Sequence, residues 1–115
     1  MSAATRRLGR SGPELTTVGF GAWAAGGPYL FGWGPQDDDD SVAAIHRFLD
    51  LGGNWIDTAA VYGFGHSESV VGRALRGRDR DAVVVATKCG RVKGDDGKMR
   101  SDLRPDALRA ELDAS

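Results

Sequence analysis

Two rhythms of apolar residues alternate along most of this chain. Four acids, Asp37 to Asp40, open a stretch in which Val42, Ile45, Phe48 and Leu49 recur at helical spacing, and Gly52-Gly53 closes it. Acids at the start and glycine past the end are helix start and stop signals in the right order. "NWID", residues 54–57, is too short for that rhythm and reads as a strand. After "YGFGH" the helical spacing returns. Ser67 is placed to cap a second helix with Glu68 in its first turn, and Val70, Val71, Ala74 and Leu75 form its inner face ahead of Gly77. "AVVVAT", residues 82–87, is an unbroken apolar run, the kind of strand buried on both faces. A polar loop containing "GDDG" then leads to a last helix beginning near Pro105, with Leu108 and Leu112 on one side. Upstream of all this, "RRLGRSGPELTTVGFG" holds two short extended stretches around Gly9, Gly12 and Pro13. It reads as a hairpin leading into a strand at about residues 16–21, followed by a Gly/Pro/Trp-rich loop over residues 22–36.

The order is therefore a hairpin followed by β–α–β–α–β–α, which argues for a parallel sheet covered by helices. At 115 residues, 41% hydrophobic and 27% charged, the composition is that of one modest globular domain. A net charge of −1 removes the electrostatic footprint of a dedicated nucleic-acid binder. The single cysteine, Cys89, excludes an intrachain disulfide framework and fits a reducing compartment. No apolar run approaches the ~18 residues needed to span a bilayer. Arg6-Arg7 is followed by no apolar h-region, so a twin-arginine export signal is rejected and a cytoplasmic location is expected. The closing "ELDAS" carries no helix stop, and three parallel strands leave an unpaired edge, so residues 1–115 read as a domain truncated at its C-terminal end.

Candidate chemistry gathers at the strand ends. "GFGAWA", residues 19–24, satisfies a dinucleotide-binding glycine pattern, but "AGGPYLFGWGP" after it is no helix, so the pattern reads as a strand end with permissive glycines. The acids at residues 37–40 read as N-terminal helix charge, since a calcium loop needs ligands spaced around a central glycine. Asp57 closes the second parallel strand and Lys88 closes the third; adjacent strands lie about 4.8 Å apart, so their side chains can meet. Tyr62 leaves the second strand close enough to return to the same mouth. A free phenol titrates near pH 10, and an ammonium neighbour favours its ionised form, which suits a phenol to protonating a carbonyl oxygen. The hydride for such a reaction comes from nicotinamide. The plainer reading is an Asp–Lys pair rimming a sheet, with Tyr62 packed in a turn. A short-chain dehydrogenase pattern is excluded, because the residues four places after Tyr62 and Tyr29 are His66 and Trp33 rather than lysine.

"GGNWIDTAAVYGFGHSESVVGRAL" followed by "VVVATKCG" resembles the N-terminal part of an aldo-keto reductase, and "LGRSGPELTTVGFGAW" resembles that family's opening hairpin and first barrel strand. The resemblance implies the N-terminal part of a TIM (β/α)8 barrel, with about three of its eight parallel strands, using NADPH to reduce aldehydes or ketones. By motif position Asp57, Tyr62 and Lys88 resemble three members of the catalytic tetrad, with Tyr62 the proton donor. Gly21, Ala22, Trp23 and Asp57 match positions beside the cofactor, Ala22 standing where threonine is more usual. Trp23 and Trp33 match the mouth that receives a small carbonyl substrate. The tetrad's histidine lies beyond Ser115 by this resemblance, so the 115-residue chain alone is expected to be inactive. His46 reads as a surface or satisfied helix residue, His66 as a turn residue and Cys89 as small buried packing. The same barrel also serves as a cofactor-sensing or channel-associated subunit, and a remnant without activity of its own is a further alternative.

Overall fold

The structure, a computed structural model, describes residues 3–29 and 32–115. Met1 and Ser2 lie outside it, as do Leu30 and Phe31 of the Gly/Pro/Trp-rich loop. Strands β1 (Thr5–Arg7) and β2 (Glu14–Thr16) form the expected antiparallel hairpin, Thr5 opposite Thr16. Three strands, β3 (Phe20–Gly21), β4 (Trp55–Asp57) and β5 (Val84–Ala86), make a parallel sheet in the order β3-β4-β5. Helix α1 (Asp38–Asp50) connects the first pair and α2 (His66–Leu75) the second. The extended segment expected over residues 16–21 divides: Thr16 pairs within the hairpin, and only Phe20 and Gly21 join the sheet.

The hairpin is tied to the end of the sheet where β4 begins. Thr16 N–H donates to Asn54 Oδ1 at 2.9 Å, Asn54 Nδ2 donates to the Glu14 carbonyl at 2.8 Å, and Trp55 Nε1 donates to the Thr16 carbonyl at 2.9 Å. The Trp55 ring lies so close to Gly19 that a Cβ there would sit 2.2 Å from it, so this crossing requires glycine. With that end closed, the opposite rim, where the strands terminate, is left for loops.

Helix α1 starts as its sequence dictates: the Asp37 carboxylate accepts from the backbone N–H of Asp39 and Asp40, at 2.8 and 3.2 Å. Its inner face buries Ile45 completely, with Val42 and Leu49 alongside. Val70, Val71, Ala74 and Leu75 of α2 are all buried, as their spacing predicts, and they meet Ile45 and Ile56 in one cluster between helices and sheet. His46 Nε2 lies 2.7 Å from the Ala74 carbonyl, so this histidine is a satisfied link between the two helices.

Several expectations are corrected. Ser67 does not cap α2. Gly63, Phe64 and Gly65 all have positive φ (67°, 50° and 98°), and the helix starts two residues earlier than that cap implies, at His66, with Gly65 in the cap position and no side-chain cap. His66 is then the first residue of the helix rather than part of the turn, and its Nε2 lies 2.8 Å from Asp38 Oδ1. The strand expected over residues 82–87 is shorter, because Arg80–Ala82 form a 3₁₀ turn, and it is half-buried to exposed because, among the described residues, only β4 pairs with it. The polar loop is a second hairpin, β6 (Arg91–Lys93) with β7 (Met99–Ser101), closed through Gly97 at φ 77°. Cys89 is exposed, because the chain leaves the sheet after Lys88 rather than continuing inside it. The last helix, α3 (Pro105–Ala114), begins at Pro105; Leu108 is half-buried, but Leu112 is exposed.

Candidate active site

Pairing continues past the formal strand ends and carries the polar residues onto one rim. The Ala22 N–H donates to the Asp57 carbonyl at 2.8 Å, the Thr58 N–H to the Ala86 carbonyl at 2.8 Å, and the Ala60 N–H to the Lys88 carbonyl at 3.3 Å. Asp57 is in register with Ala86, and Lys88 lies two residues further on. A two-residue step keeps a side chain on the same face of a strand, so Asp57 and Lys88 point the same way. Tyr62 is brought back over them by a tight turn, in which its N–H donates to the Ala59 carbonyl at 3.1 Å.

Lys88 Nζ lies 3.0 and 2.9 Å from the two Asp57 carboxylate oxygens, 2.9 Å from the Thr58 carbonyl and 3.2 Å from Tyr62 Oη. An ammonium has three donors and no acceptor. One proton spans the carboxylate, one goes to Thr58 and one to the phenol, so Tyr62 Oη is the acceptor in its contact with Lys88. The phenolic proton is then not used by this contact and can go to a further acceptor. Partial burial works against the charge on Lys88, but its hydrogen bonds and charge interactions with Asp57 and Tyr62 outweigh that. The ammonium's pKa is raised above its ordinary 10.5. Lys88 is therefore a cation throughout the neutral range.

Beside this group stands an aromatic wall. The Trp23 ring stacks on Tyr62 at 6.4 Å between centroids, and its Nε1 donates to Tyr29 Oη at 2.8 Å. Trp33 meets Trp23 edge-on at 5.7 Å. Burial chiefly raises the pKa of the Tyr29 phenol, partly offset by the Trp23 hydrogen bond. Trp23, Tyr29, Val61, Tyr62 and Met99 line an open recess of about 240 Å³ next to the phenol.

Asp57, Tyr62 and Lys88 thus converge, with Trp23 against them and Trp33 one ring further out. Gly21 is exposed, with open space where a side chain would be, whereas Ala22 is buried and holds its place through its backbone. The glycine pattern at residues 19–24 opens only the 3₁₀ turn Ala24–Gly26, not a helix that could hold pyrophosphate. Among the described residues, no group of three or more His, Cys, Asp or Glu is arranged to hold a metal, and no helix is long and apolar enough to cross a membrane. Sequence reasoning missed Tyr29, Thr58 and Met99 at this rim. Thr58 carried a signal, a hydroxyl directly after an apolar strand; Tyr29 and Met99 carried none.

The model of the Aldo/keto reductase family matches residues 17–115. The chain is 38% identical over 120 residues to the NADH-specific methylglyoxal reductase of Escherichia coli (strain K12), an alignment covering 94% of this chain and 36% of that protein. It resembles the structure of a glycerol dehydrogenase from Gluconobacter oxydans, with TM-score 0.76 and 44% identity over 99% of this chain and 35% of the other. An aldo-keto reductase from Klebsiella pneumoniae in complex with NADPH matches with TM-score 0.61 and 35% identity, covering 77% and 28% of the two chains. The chain spans 36% or less of the length of these relatives.

Proposed function

The chain belongs to the aldo/keto reductase family, a family of oxidoreductases acting on carbonyl compounds, and on that premise we propose that it supplies the first part of a TIM (β/α)8 barrel that reduces aldehydes or ketones with NADPH, Tyr62 being the proton donor. One observation carries the reading: Lys88 Nζ is shared between the Asp57 carboxylate and Tyr62 Oη, which makes the phenol oxygen an acceptor and leaves its proton for another oxygen.

The residues at the rim are chemically suited to a nicotinamide nucleotide. Asp57 keeps 38% of its side chain exposed and can accept from a ribose hydroxyl while it holds Lys88. The open backbone at Gly21 and the flat face of Trp23 offer a neighbouring surface to a planar ring. Trp23 lines the recess offered to a small carbonyl substrate, and Trp33 backs it through its edge-on contact with Trp23. Bound there, NADPH supplies the hydride that no side chain can supply.

The chain's own residues manage the proton. A substrate carbonyl in the recess accepts a hydrogen bond from Tyr62 Oη. As the carbonyl carbon gains hydride, its oxygen takes the phenolic proton and the alcohol is complete. Tyr62 is left as a phenolate, stabilised by the ammonium 3.2 Å away, and regains its proton from solvent. Asp57 keeps that ammonium in place and balances its charge.

The test is Tyr62→Phe in the enzyme that carries this segment within a complete barrel. Turnover falls roughly 10²–10⁴-fold, the range for losing a general acid, while the NADPH dissociation constant measured by fluorescence is unchanged. Full turnover in that variant refutes the role.

A further inference from the structure

Helix α2 begins without a side-chain cap, although Ser67, a residue type that readily caps, sits in its first turn. The Ser67 hydroxyl is directed elsewhere. It is completely buried and donates to the Ala22 carbonyl at 2.7 Å, while Thr58 Oγ1, also buried, lies 2.8 Å from Ser67 Oγ. A carbonyl only accepts, so the Ser67 proton is committed to Ala22 and Thr58 must be the donor to Ser67. The relay has one direction: Thr58 to Ser67 to Ala22. Its neighbour Glu68 turns to the third strand, where its Oε1 accepts from Thr87 Oγ1 at 2.5 Å and from the Ser115 hydroxyl at 2.9 Å.

The three strand-side partners share one position. Ala22, Thr58 and Thr87 are each the first residue beyond its strand, β3, β4 and β5 respectively. Each also adjoins a member of the site: Ala22 precedes Trp23, Thr58 follows Asp57, and Thr87 precedes Lys88. The Thr58 carbonyl accepts from Lys88 Nζ as well, so the relay and the site share a residue. Apolar packing of α2 against the sheet needs none of these polar contacts. What they add is a fixed spacing of three strand ends, set by two consecutive residues.

We propose that Ser67 and Glu68 are positioning residues that clamp the ends of β3, β4 and β5 in the relative placement the Asp57–Tyr62–Lys88 group requires. This rests on the reading of that group as the reacting site. Neither residue touches the reacting atoms; each acts through the strand end it holds. The Lys88–Tyr62 contact spans 3.2 Å, near the upper limit of a hydrogen bond, so a small drift of β5 against β4 breaks it.

The experiment uses the complete enzyme carrying this segment and compares Ser67→Ala, Glu68→Ala, Glu68→Gln and Thr87→Val with Tyr62→Phe. Ser67→Ala, Glu68→Ala and Thr87→Val lower kcat about 10- to 100-fold with the NADPH dissociation constant within about twofold of wild type, as expected for misplacement by a fraction of an ångström. Glu68→Gln keeps an oxygen for Thr87 and recovers most of the turnover. A readout without turnover accompanies these: the 15Nζ resonance of the unmodified Lys88 ammonium, assigned by its loss in Lys88→Arg, moves toward that of solvent-exposed lysines in the three clamp-breaking variants. If those variants melt at lower temperature yet keep wild-type kcat and an unmoved Lys88 resonance at 20 °C (about 293 K, below their melting), the contacts only stabilise the fold and the proposal is overturned. Thr87 is exposed, so Thr87→Val keeps the test open should burial at Ser67 prevent Ser67→Ala from folding. Full activity in Tyr62→Phe would instead overturn the reading of the site itself, a separate result.

Discussion

A methyl group added at Gly26 meets main chain. A Cβ there would sit 2.7 Å from the Tyr62 carbonyl carbon and 3.0 Å from the Gly63 nitrogen, and backbone cannot swing aside as a side-chain tip can. Gly26→Ala therefore pushes on the loop that carries the phenol. We expect a loss of about 1–3 kcal/mol of stability in a urea titration, together with reduced turnover. Gly72 is the control: it lies in α2, exposed, with nothing near its virtual Cβ. Gly72→Ala should gain roughly 0.5–1 kcal/mol, because alanine loses less backbone entropy in a helix. Equal effects from the two substitutions would show that the close approach of Gly26 to Tyr62 is not a constraint. At this scale the sequence was informative where chemistry is intrinsic to a side chain: an acid, a phenol and an amine at strand ends. It was uninformative about Gly26, one of 17 glycines, because its role depends on a second segment 36 residues away.

Local signals decide the helices. Asp37 caps α1 through two backbone N–H groups, and Asp38, Asp39 and Asp40 place negative charge in its first turn, where the helix dipole favours it. Asp37→Ala should lower stability by about 1 kcal/mol, read as a shifted denaturation midpoint, and leave NADPH affinity unchanged. A midpoint equal to wild type would mean that Asp38–Asp40 alone secure the helix start. Helix α2 has no comparable cap and relies on its buried face, so only its packing pattern was legible, not the use of Ser67. The β6–β7 hairpin carried a local signal, Asp96-Gly97, but its strands "RVK" and "MRS" are too polar to show alternation. Strand β5 was overestimated for the opposite reason: an apolar run records a preference for burial, whereas its realised length depends on which neighbours pair with it.

As a whole, the described molecule is open. Its radius of gyration is 15.1 Å, against about 13 Å for a compact chain of this length. Leu103 and Leu112 are each 70% exposed, and β5 has a partner on one edge only. Under the proposed reading, the three residues at the rim form part of a site that further barrel strands complete. The 115-residue chain by itself should show no NADPH oxidation with a reactive aldehyde, followed at 340 nm (about the nicotinamide absorbance band), since hydride transfer needs the cofactor held against the phenol. Sustained turnover by this chain would show that the three strand ends suffice.

The sequence by itself determined the kinds of element, their order and the residues standing at the strand ends, because caps, turn glycines and apolar periodicity act within a few residues. It also placed Asp57 and Lys88 on one rim, since strand ends of a parallel sheet share a side. Only the tertiary structure decided the direction of the hydrogen bonds: that Tyr62 accepts from Lys88, that Ser67 gives its proton to Ala22 and that Trp23 reaches Tyr29. The Ser67–Ala22 contact joins residues 45 apart in the chain. Such contacts depend on the register of three strands and on where a helix lands across them, and no local preference encodes either.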